Sequence, residues 1–212
     1  MQEKIYKIKQ IFTKFLSFFK KGLIKNASQL ISGTVAAQSI VILTAPIITR
    51  IYTPEDLGYL AIFVSITAII GSLSTLRYEI AIPLAKDYID SSSLLILTII
   101  VNIIYTFLCS IFLIIFSKPL LGLLNAQILL NYLWVIPIGI FLGGLFRSFT
   151  YWVLKEESFS DVAKTRIQQS SGMVIAQVLF GILNFGALGL IIGYILGFFS
   201  GLIRLIHFWF KR

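Results

Sequence analysis

Two charged side chains stand alone within a long apolar stretch of this 212-residue chain. In "LRYEIAIPLA", residues 76–85, Arg77 and Glu79 are the only charged residues between positions 57 and 85. On an α-helix, a spacing of two places them on opposite sides, so each needs its own partner or its own water. Either both line the inner mouth of a polar cavity, or Arg77 snorkels to the headgroups and Glu79 is wet. Position alone leaves both interpretations open.

Arg147 is a third charged residue near the end of an apolar segment. It lies about one helical turn before Tyr151, and Tyr151 with Trp152 suits the aromatic belt of a membrane interface. Arg147 therefore either snorkels or adds a second cation to the cavity that Arg77 would line.

The stretch 28–48 is polar for a helix that faces lipid. It holds Gln38 and several hydroxyl residues, and Pro46 precedes Arg50 at its end. A proline at that position permits a bend of the kind that transporters use at gates. A buried helix with internally bonded hydroxyls explains the same composition.

No catalytic constellation is present among these residues. His207 is the only histidine, so serine and cysteine nucleophiles lack a base in reach. Cys109 is the only cysteine, and no glycine-rich phosphate loop is followed by lysine. We therefore predict a protein that is not an enzyme, with no catalytic residues, metal or cofactor.

The composition defines the class of protein. The chain is 58% hydrophobic and 13% charged, with a mean hydropathy of +0.92. A soluble domain of this length has about a quarter of its residues charged. Apolar runs of about twenty residues predict membrane-spanning helices rather than the short alternating strands of a barrel. The net charge of +9 belongs to membrane flanks, so nucleic acid is not an expected partner.

The first 25 residues have an amphipathic pattern. Apolar residues recur at steps of three and four from Ile5 to Leu23, and seven lysines occupy much of the remainder. No clean apolar core or cleavage site of a signal peptide follows. We expect an amphipathic helix, residues 1–25, on an anionic cytoplasmic leaflet.

Six spans are predicted in residues 26–212, so the fold class is an all-α, polytopic membrane bundle. Thr53 is expected as N-cap and Pro54 as the first helical residue of the second span. The predicted spans are Ser28–Ile48, Leu57–Leu76 with a possible extension to Leu84, Ser93–Phe116, Ile128–Tyr151, Ile167–Leu183 and Ala187–Phe208.

The distribution of Lys and Arg predicts the orientation. With a cytoplasmic N-terminus, fourteen of these residues lie on inside segments and two, Arg50 and Lys118, on outside segments. This asymmetry satisfies the positive-inside rule, so both termini are expected in the cytoplasm.

Glycines recur every fourth residue in the last span, at Gly189, Gly193, Gly197 and Gly201. Such a ridge lets another helix backbone approach closely. It predicts tight packing within the bundle, with a specific dimer interface as the alternative.

Three stretches together resemble the N-terminal half of polysaccharide flippases. These are the O-antigen-type lipid-linked oligosaccharide translocases of the multidrug/oligosaccharidyl-lipid/polysaccharide exporter superfamily. The resemblance covers residues 26–205. The stretches are "GTVAAQSIVILTAPIITRIYTPEDLGYLAIFVSI", "LRYEIAIPL" and "RIQQSSGMVIAQVLFGILNFGALGLIIGYILG".

The resemblance implies a fold of two six-helix lobes that rock around a central cavity, with this chain as one lobe. The implied cargo is an undecaprenyl-pyrophosphate-linked sugar repeat unit, flipped across the bacterial inner membrane for lipopolysaccharide or other surface polysaccharide. It also makes Arg50, Arg77 and Arg147 candidates to attract the pyrophosphate, and Glu79 a counter-ion or coupling carboxylate. Gln38 completes the candidate substrate-binding set.

The resemblance leaves partners and two rival functions open. The lobe would pair with itself or with a second six-helix lobe, and membrane lipid, glycosyltransferases and the polymerase of the pathway are possible partners. One rival is an ion-coupled small-molecule exporter of the same superfamily, for which Glu79 is the sole buried carboxylate on offer. The other is a membrane scaffold that binds glycosyltransferases.

Overall fold

Six α-helices form the bundle in the part of the chain that the structure describes. The computed structural model describes the backbone of residues 2–123 and 127–211, and the side chains of residues 24–119, 121–123 and 129–211. The helices are α1 (Gln2–Ile51), α2 (Pro54–Gly71), α3 (Tyr88–Leu123), α4 (Val135–Lys155), α5 (Phe159–Ile182) and α6 (Gly186–Phe210). Two 3-10 helices, Tyr78–Leu84 and Gln127–Tyr132, lie before and after α3. These described parts of the chain hold no strand, which confirms the all-α class.

Five of these helices are long and apolar enough to cross a membrane, judged over the described part of the chain. They are α1 from Ile24 to Ile51, α2, α3 from Tyr88 to Pro119, α4 and α6. The helix α5 coincides with the fifth predicted span but is too polar for this criterion, because its first half carries Asp161, Lys164, Arg166 and the run 168–171. The protein is thus a multi-pass membrane protein.

The predicted N-terminal helix is not a separate element. Residues 2–51 form one continuous helix, without a break near residue 25. The side chains on which the amphipathic prediction depends lie outside the described residues.

The start of α2 agrees with its sequence signal. The Thr53 side chain accepts a hydrogen bond from the Asp56 backbone N–H, while the Asp56 carboxylate accepts one from the Thr53 backbone N–H. This reciprocal capping box, with Pro54 at the first turn, satisfies backbone donors that a helix leaves unpaired.

The end of α2 differs from the prediction. The helix stops at Gly71, whereas the second span was expected to reach Leu76 or Leu84. A turn at residues 72–77 follows, in which Leu76 and Arg77 have φ of 47° and 63°. Left-handed backbone in two consecutive non-glycine residues is incompatible with an α-helix, because the Cβ crowds the next carbonyl, so the α-helix does not resume before the 3-10 helix at Tyr78.

The glycine ridge of α6 packs against α5. A Cβ added at Gly189, Gly193 or Gly197 would collide with Phe180, Gln177 or Met173. As residue numbers rise along α6 they fall along α5, so the two helices form an antiparallel hairpin joined by residues 183–185. The prediction of tight packing is confirmed within the chain.

The helix α1 runs parallel to α5 on the other side. Gly33 meets Ala163, and eighteen residues later on both helices Ile51 meets Gly181. This contact extends over about 27 Å, close to the thickness of the bilayer hydrocarbon. The polar helix α5 is therefore covered by α1 and α6 along most of its length.

The junction of α1 and α2 is fixed to this hairpin by Tyr52, which is 5% exposed. Its hydroxyl donates a 2.7 Å hydrogen bond to the Gln177 carbonyl, and the Gln177 amide donates to the Leu190 carbonyl at 3.1 Å. We call this side of the bundle the Tyr52 end. The opposite side, where α2 and α4 end, is the Lys155 end, since Lys155 donates to the Ala85 carbonyl there.

Candidate functional site

The break after α2 is held by a guanidinium from α4. Arg147 donates through Nη2 to the Gly71 carbonyl and, at 2.8 Å, to the Ser74 hydroxyl. A helix leaves its last carbonyls without partners and carries partial negative charge there. Arg147 therefore satisfies the α2 end while its own position is fixed by two bonds.

The rest of the Arg147 guanidinium is not used by these bonds. Its Nε is buried and has no hydrogen-bond partner among the residues described. A buried cationic donor that is left unpaired is costly, so the site favours an acceptor or water there. Of the two interpretations of Arg147, the structure supports the cavity rather than snorkelling.

Glu79 lies on the Tyr78–Leu84 3-10 helix and is 1% exposed, so it is not in water. Its carboxylate accepts a hydrogen bond from the Thr75 hydroxyl. Both Glu79 and Arg77 lie within electrostatic range of Arg147, Glu79 with opposite charge and Arg77 with like charge. Glu79 is therefore a buried carboxylate that influences the Arg147 charge without forming an ion pair with it among the described residues.

Arg77 itself is exposed, at the left-handed position that opens the 3-10 helix. Because residues 76–79 are not α-helical, the opposite-side geometry expected for a helix does not apply. The break exposes Arg77 and buries Glu79.

A cleft opens between α4 and α5 beside Arg147. This α4–α5 cleft has a volume of about 470 Å³. Its floor is formed by Tyr194 and Phe198 of α6. The lining is Gly143, Phe146, Arg147, Thr150, Tyr151, Arg166, Gln169, Tyr194 and Phe198.

Two smaller clefts adjoin it. The α2–α4 cleft, of about 200 Å³, shares Gly143, Arg147, Tyr194 and Phe198 with it and adds Thr67, Ala68, Gly71, Gly139 and Ile140. The α1–α5 cleft, of about 240 Å³, shares Arg166 and Gln169 and adds Thr34, Ala37, Gln38, Val41, Ser170 and Met173. Because neighbouring clefts share walls, we treat the three as one polar groove from α2 to α1.

The predicted site residues divide into two groups. Arg147 and Gln38 line the polar groove, and Arg77 and Glu79 lie near it at the Lys155 end. Arg50 is exposed at the Tyr52 end, separated from Arg77 by the whole of α2, about 27 Å. The structure does not bring Arg50 together with the other cations.

Sequence reasoning missed three residues of the groove. Arg166 was counted only as a cytoplasmic flanking charge, and Gln169 and Tyr194 were not singled out. A signal existed, because Gln169 and Ser170 lie three and four residues after Arg166 and form one polar stripe with it on α5.

An ion pair joins α5 and α6 at the Lys155 end. Arg204 donates to Asp161 at 3.0 Å, and the Ser158 hydroxyl donates to the same carboxylate at 2.6 Å. Burial alone would raise the pKa of Asp161, but the Ser158 hydrogen bond and the Arg204 and Lys164 charges outweigh it and lower the pKa. The carboxylate is thus charged near neutral pH and fixes the start of α5.

The chemistry of the groove is that of anion binding. It combines Arg147 and Arg166 with hydroxyl and amide groups inside a membrane bundle, where water screens charge poorly. Arginine offers several donors in a planar fork that matches phosphate oxygens.

A protein-family model described as "Polysaccharide biosynthesis protein" matches residues 47–211. The match covers most of the chain, including the groove walls from α2, α4, α5 and α6, and the chain belongs to this family. The predicted membership in a polysaccharide biosynthesis family is thereby confirmed. No curated protein matches the chain. No solved structure matches it either.

Proposed function

We propose that this protein flips an undecaprenyl-pyrophosphate-linked oligosaccharide repeat unit across the bacterial cytoplasmic membrane. It does so by alternating access, as one lobe of a larger or paired transporter for surface polysaccharide such as O-antigen, and it is not an enzyme. The single observation that carries the proposal is the polar groove with Arg147 and Arg166, which lies among the helices of a multi-pass membrane protein of a polysaccharide biosynthesis family.

The physical problem in flipping such a lipid is its headgroup. A pyrophosphate crossing hydrocarbon loses hydration that only nearby cations and donors replace, whereas the polyprenyl tail stays in the bilayer. Arg147 supplies a cation whose position is already fixed by Gly71 and Ser74, so little ordering is needed on binding.

The proposed topology has six crossings with both termini in the cytoplasm. The parallel contact of α5 with α1 supports α5 as the sixth crossing, since α1 is itself apolar enough to span. A helix shielded by protein needs less apolar surface than one that faces lipid. The Lys155 end is then cytoplasmic, and the groove opens toward the side where the lipid-linked sugar is made.

A second lobe or a second copy of the chain completes the cavity in this proposal. The helix α1 packs on α5 while α2 packs on α4 and α6, so the groove lies across the face between α1 and α2. Rocking of one lobe against another across this face would expose the groove alternately to each side of the membrane.

Glu79 is the candidate coupling group. A buried carboxylate beside the groove cation changes the local charge when it gains a proton or an ion. In this proposal its neutralisation removes a nearby negative charge and so strengthens the attraction of Arg147 for the anionic headgroup.

The test compares two substitutions of one cation. Arg147→Ala should lower surface polysaccharide at least tenfold, and Arg147→Lys should lower it less because a charge remains. Arg50→Ala, at the Tyr52 end, is the matched control and should retain wild-type amounts. Equal, wild-type-like surface polysaccharide from all three variants, at equal protein levels in the membrane, would remove the groove from the transport path.

A further inference from the structure

Two aromatic rings form the floor that the α2–α4 and α4–α5 clefts share. Tyr194 and Phe198 lie one turn apart on α6, with ring centroids 5.2 Å apart at 85°. Phe63 of α2 packs edge-on against Tyr194 at 6.0 Å and 85°. The Tyr194 ring is therefore held between two others at a fixed orientation.

Small residues contribute to the lining of the α2–α4 cleft. Gly139, Gly143 and Ala68 line the α2–α4 cleft, and a Cβ added at Gly143 would meet nothing within 4 Å. Gly143 also lines the α4–α5 cleft, so it stands at the junction between the two. The missing side chain keeps that junction open.

Polar groups are placed at the edge of this aromatic floor. The Tyr194 hydroxyl has no hydrogen-bond partner in the part of the chain that the structure describes. Arg147 borders the same cleft, while the Thr67 hydroxyl donates to the Phe63 carbonyl. An apolar ligand would leave the Tyr194 and Arg147 donors without partners, at a cost in free energy.

A sugar ring matches this combination. Its C–H face packs on an aromatic ring, and its hydroxyls and ring oxygen exchange hydrogen bonds with arginine, tyrosine and amide groups. A cleft of about 200 Å³ lies below the usual 300–1,000 Å³ of sites for drug-sized ligands, which suits a single ring.

We propose that the α2–α4 cleft binds the sugar attached directly to the pyrophosphate, with Tyr194 as its platform and Gly143 as the residue that sets its permitted size. This inference rests on the proposed function, in which the pyrophosphate lies in the adjoining α4–α5 cleft. Arg147 lies at the boundary and contacts both parts of the headgroup.

The test measures a ratio of two affinities. The full chain in lipid nanodiscs is titrated with undecaprenyl pyrophosphate and with the same lipid carrying one N-acetylhexosamine. The wild-type protein should bind the sugar-bearing lipid about tenfold more tightly, equivalent to about 1.4 kcal/mol. Gly143→Leu, which fills the junction, and Tyr194→Leu, which removes the platform, should each bring the ratio close to one.

Two further variants isolate the cause. Gly58→Leu adds the same side chain at an exposed helical glycine with open space around it, and should keep the wild-type ratio. Tyr194→Phe keeps the ring without the hydroxyl and should give an intermediate ratio. Circular dichroism and gel filtration confirm that each variant is folded before the titration.

The outcomes separate this inference from the proposed function. Equal wild-type affinity for both lipids overturns the sugar site and leaves the flippase proposal standing. A preference that survives both Gly143→Leu and Tyr194→Leu places the sugar elsewhere. Wild-type protein that binds neither lipid overturns both proposals together.

Discussion

Arg147 combines two roles that are usually separate. It satisfies the carbonyl at the end of α2 and is also a cation in the wall of the polar groove. A residue that does both couples ligand binding to the α2 break, since any movement of the guanidinium changes the bonds that hold Gly71 and Ser74. In the proposed function, this coupling would link headgroup binding to movement at the end of α2.

The buried carboxylate near Arg147 should matter for stability. Glu79→Gln keeps the shape and the Thr75 contact but removes the negative charge. Removing this charge leaves the partly buried Arg147 guanidinium without the nearby opposite charge that offsets its loss of hydration. We therefore expect a markedly lower thermal unfolding temperature in detergent.

The control for this prediction is Glu55→Gln. Glu55 is exposed in the first turn of α2, where a carboxylate contributes about 0.3–1 kcal/mol. An equal loss of stability in both variants would mean that Glu79 has no special electrostatic role.

At the residue scale, the sequence identified the charged side chains of interest but not which of them are buried and which are exposed. The isolation of Arg77 and Glu79 in apolar sequence left open whether they line a cavity or lie at the interface, and the structure exposes Arg77 and buries Glu79. Their opposite exposures follow from the left-handed backbone at Leu76 and Arg77, which residue types there do not announce. Arg166 was missed because a basic residue beside a loop has the same sequence pattern whether it faces water or a groove.

Small residues on α6 set its distance from α5. Gly193→Leu should strongly destabilise the bundle, because even a Cβ there would lie 2.9 Å from the Gln177 backbone nitrogen. Overpacking costs about 1–3 kcal/mol, and backbone cannot move aside as a side chain can. Thermal unfolding in detergent measures the loss.

Gly58→Leu serves as the matched control here too, since its surroundings are open. A Gly193→Leu protein as stable as Gly58→Leu would show that α5 and α6 are not packed as described.

The contact between Asp161 and Arg204 predicts a pH dependence. The pKa of Asp161 is lowered from 3.8, so its stabilising contribution is present above about that pH and is lost as the pH falls through the lower folded value. The pair is partly exposed, so the contribution is at most about 1 kcal/mol. Asp161→Asn should unfold at a slightly lower temperature than wild type at pH 6, and the difference should shrink as the pH falls below 3.8.

Asp90→Asn, an exposed carboxylate in the first turn of α3, controls for general charge effects. A difference between Asp161→Asn and wild type that is larger at pH 3 than at pH 6 has the wrong sign for this assignment.

The sequence was most informative about elements that have strong local signals. The capping residues Thr53 and Pro54 and the α6 glycines carried enough information to place a helix start and a packed face. The polarity of α5 could not be resolved in the same way. Its polar stripe faces a groove formed by helices distant in sequence, and only the packed bundle shows that α1 and α6 cover it.

For the molecule as a whole, the number of membrane crossings decides which side of the membrane each connecting segment faces. The proposed six crossings would place Lys86 and Lys164 on the cytoplasmic side and Arg50 on the other side. All three side chains are exposed. Single cysteines at these positions, in a Cys109→Ser background, should give Lys86→Cys and Lys164→Cys the same accessibility to a membrane-impermeant thiol reagent. Arg50→Cys should react from the opposite side.

The helices α3 and α4 lie between Lys86 and Lys164 in the sequence. Labelling of both positions from the same side of the membrane therefore tests whether these two helices both cross it. Labelling that placed the two positions on opposite sides of the membrane would overturn the proposed topology. It would also overturn the proposal that the groove opens to the cytoplasm.

The central claim is that this protein moves a lipid-linked oligosaccharide across the membrane, and the sidedness of that lipid tests it most directly. In cells without the protein, the repeat unit on its polyprenyl pyrophosphate should accumulate in the inner leaflet, inaccessible to a sugar-specific probe added outside. Restoring the wild-type chain should make it accessible again. Unchanged amounts and sidedness of the lipid, with glycosyltransferases displaced from the membrane instead, would contradict the flippase account and favour a scaffold.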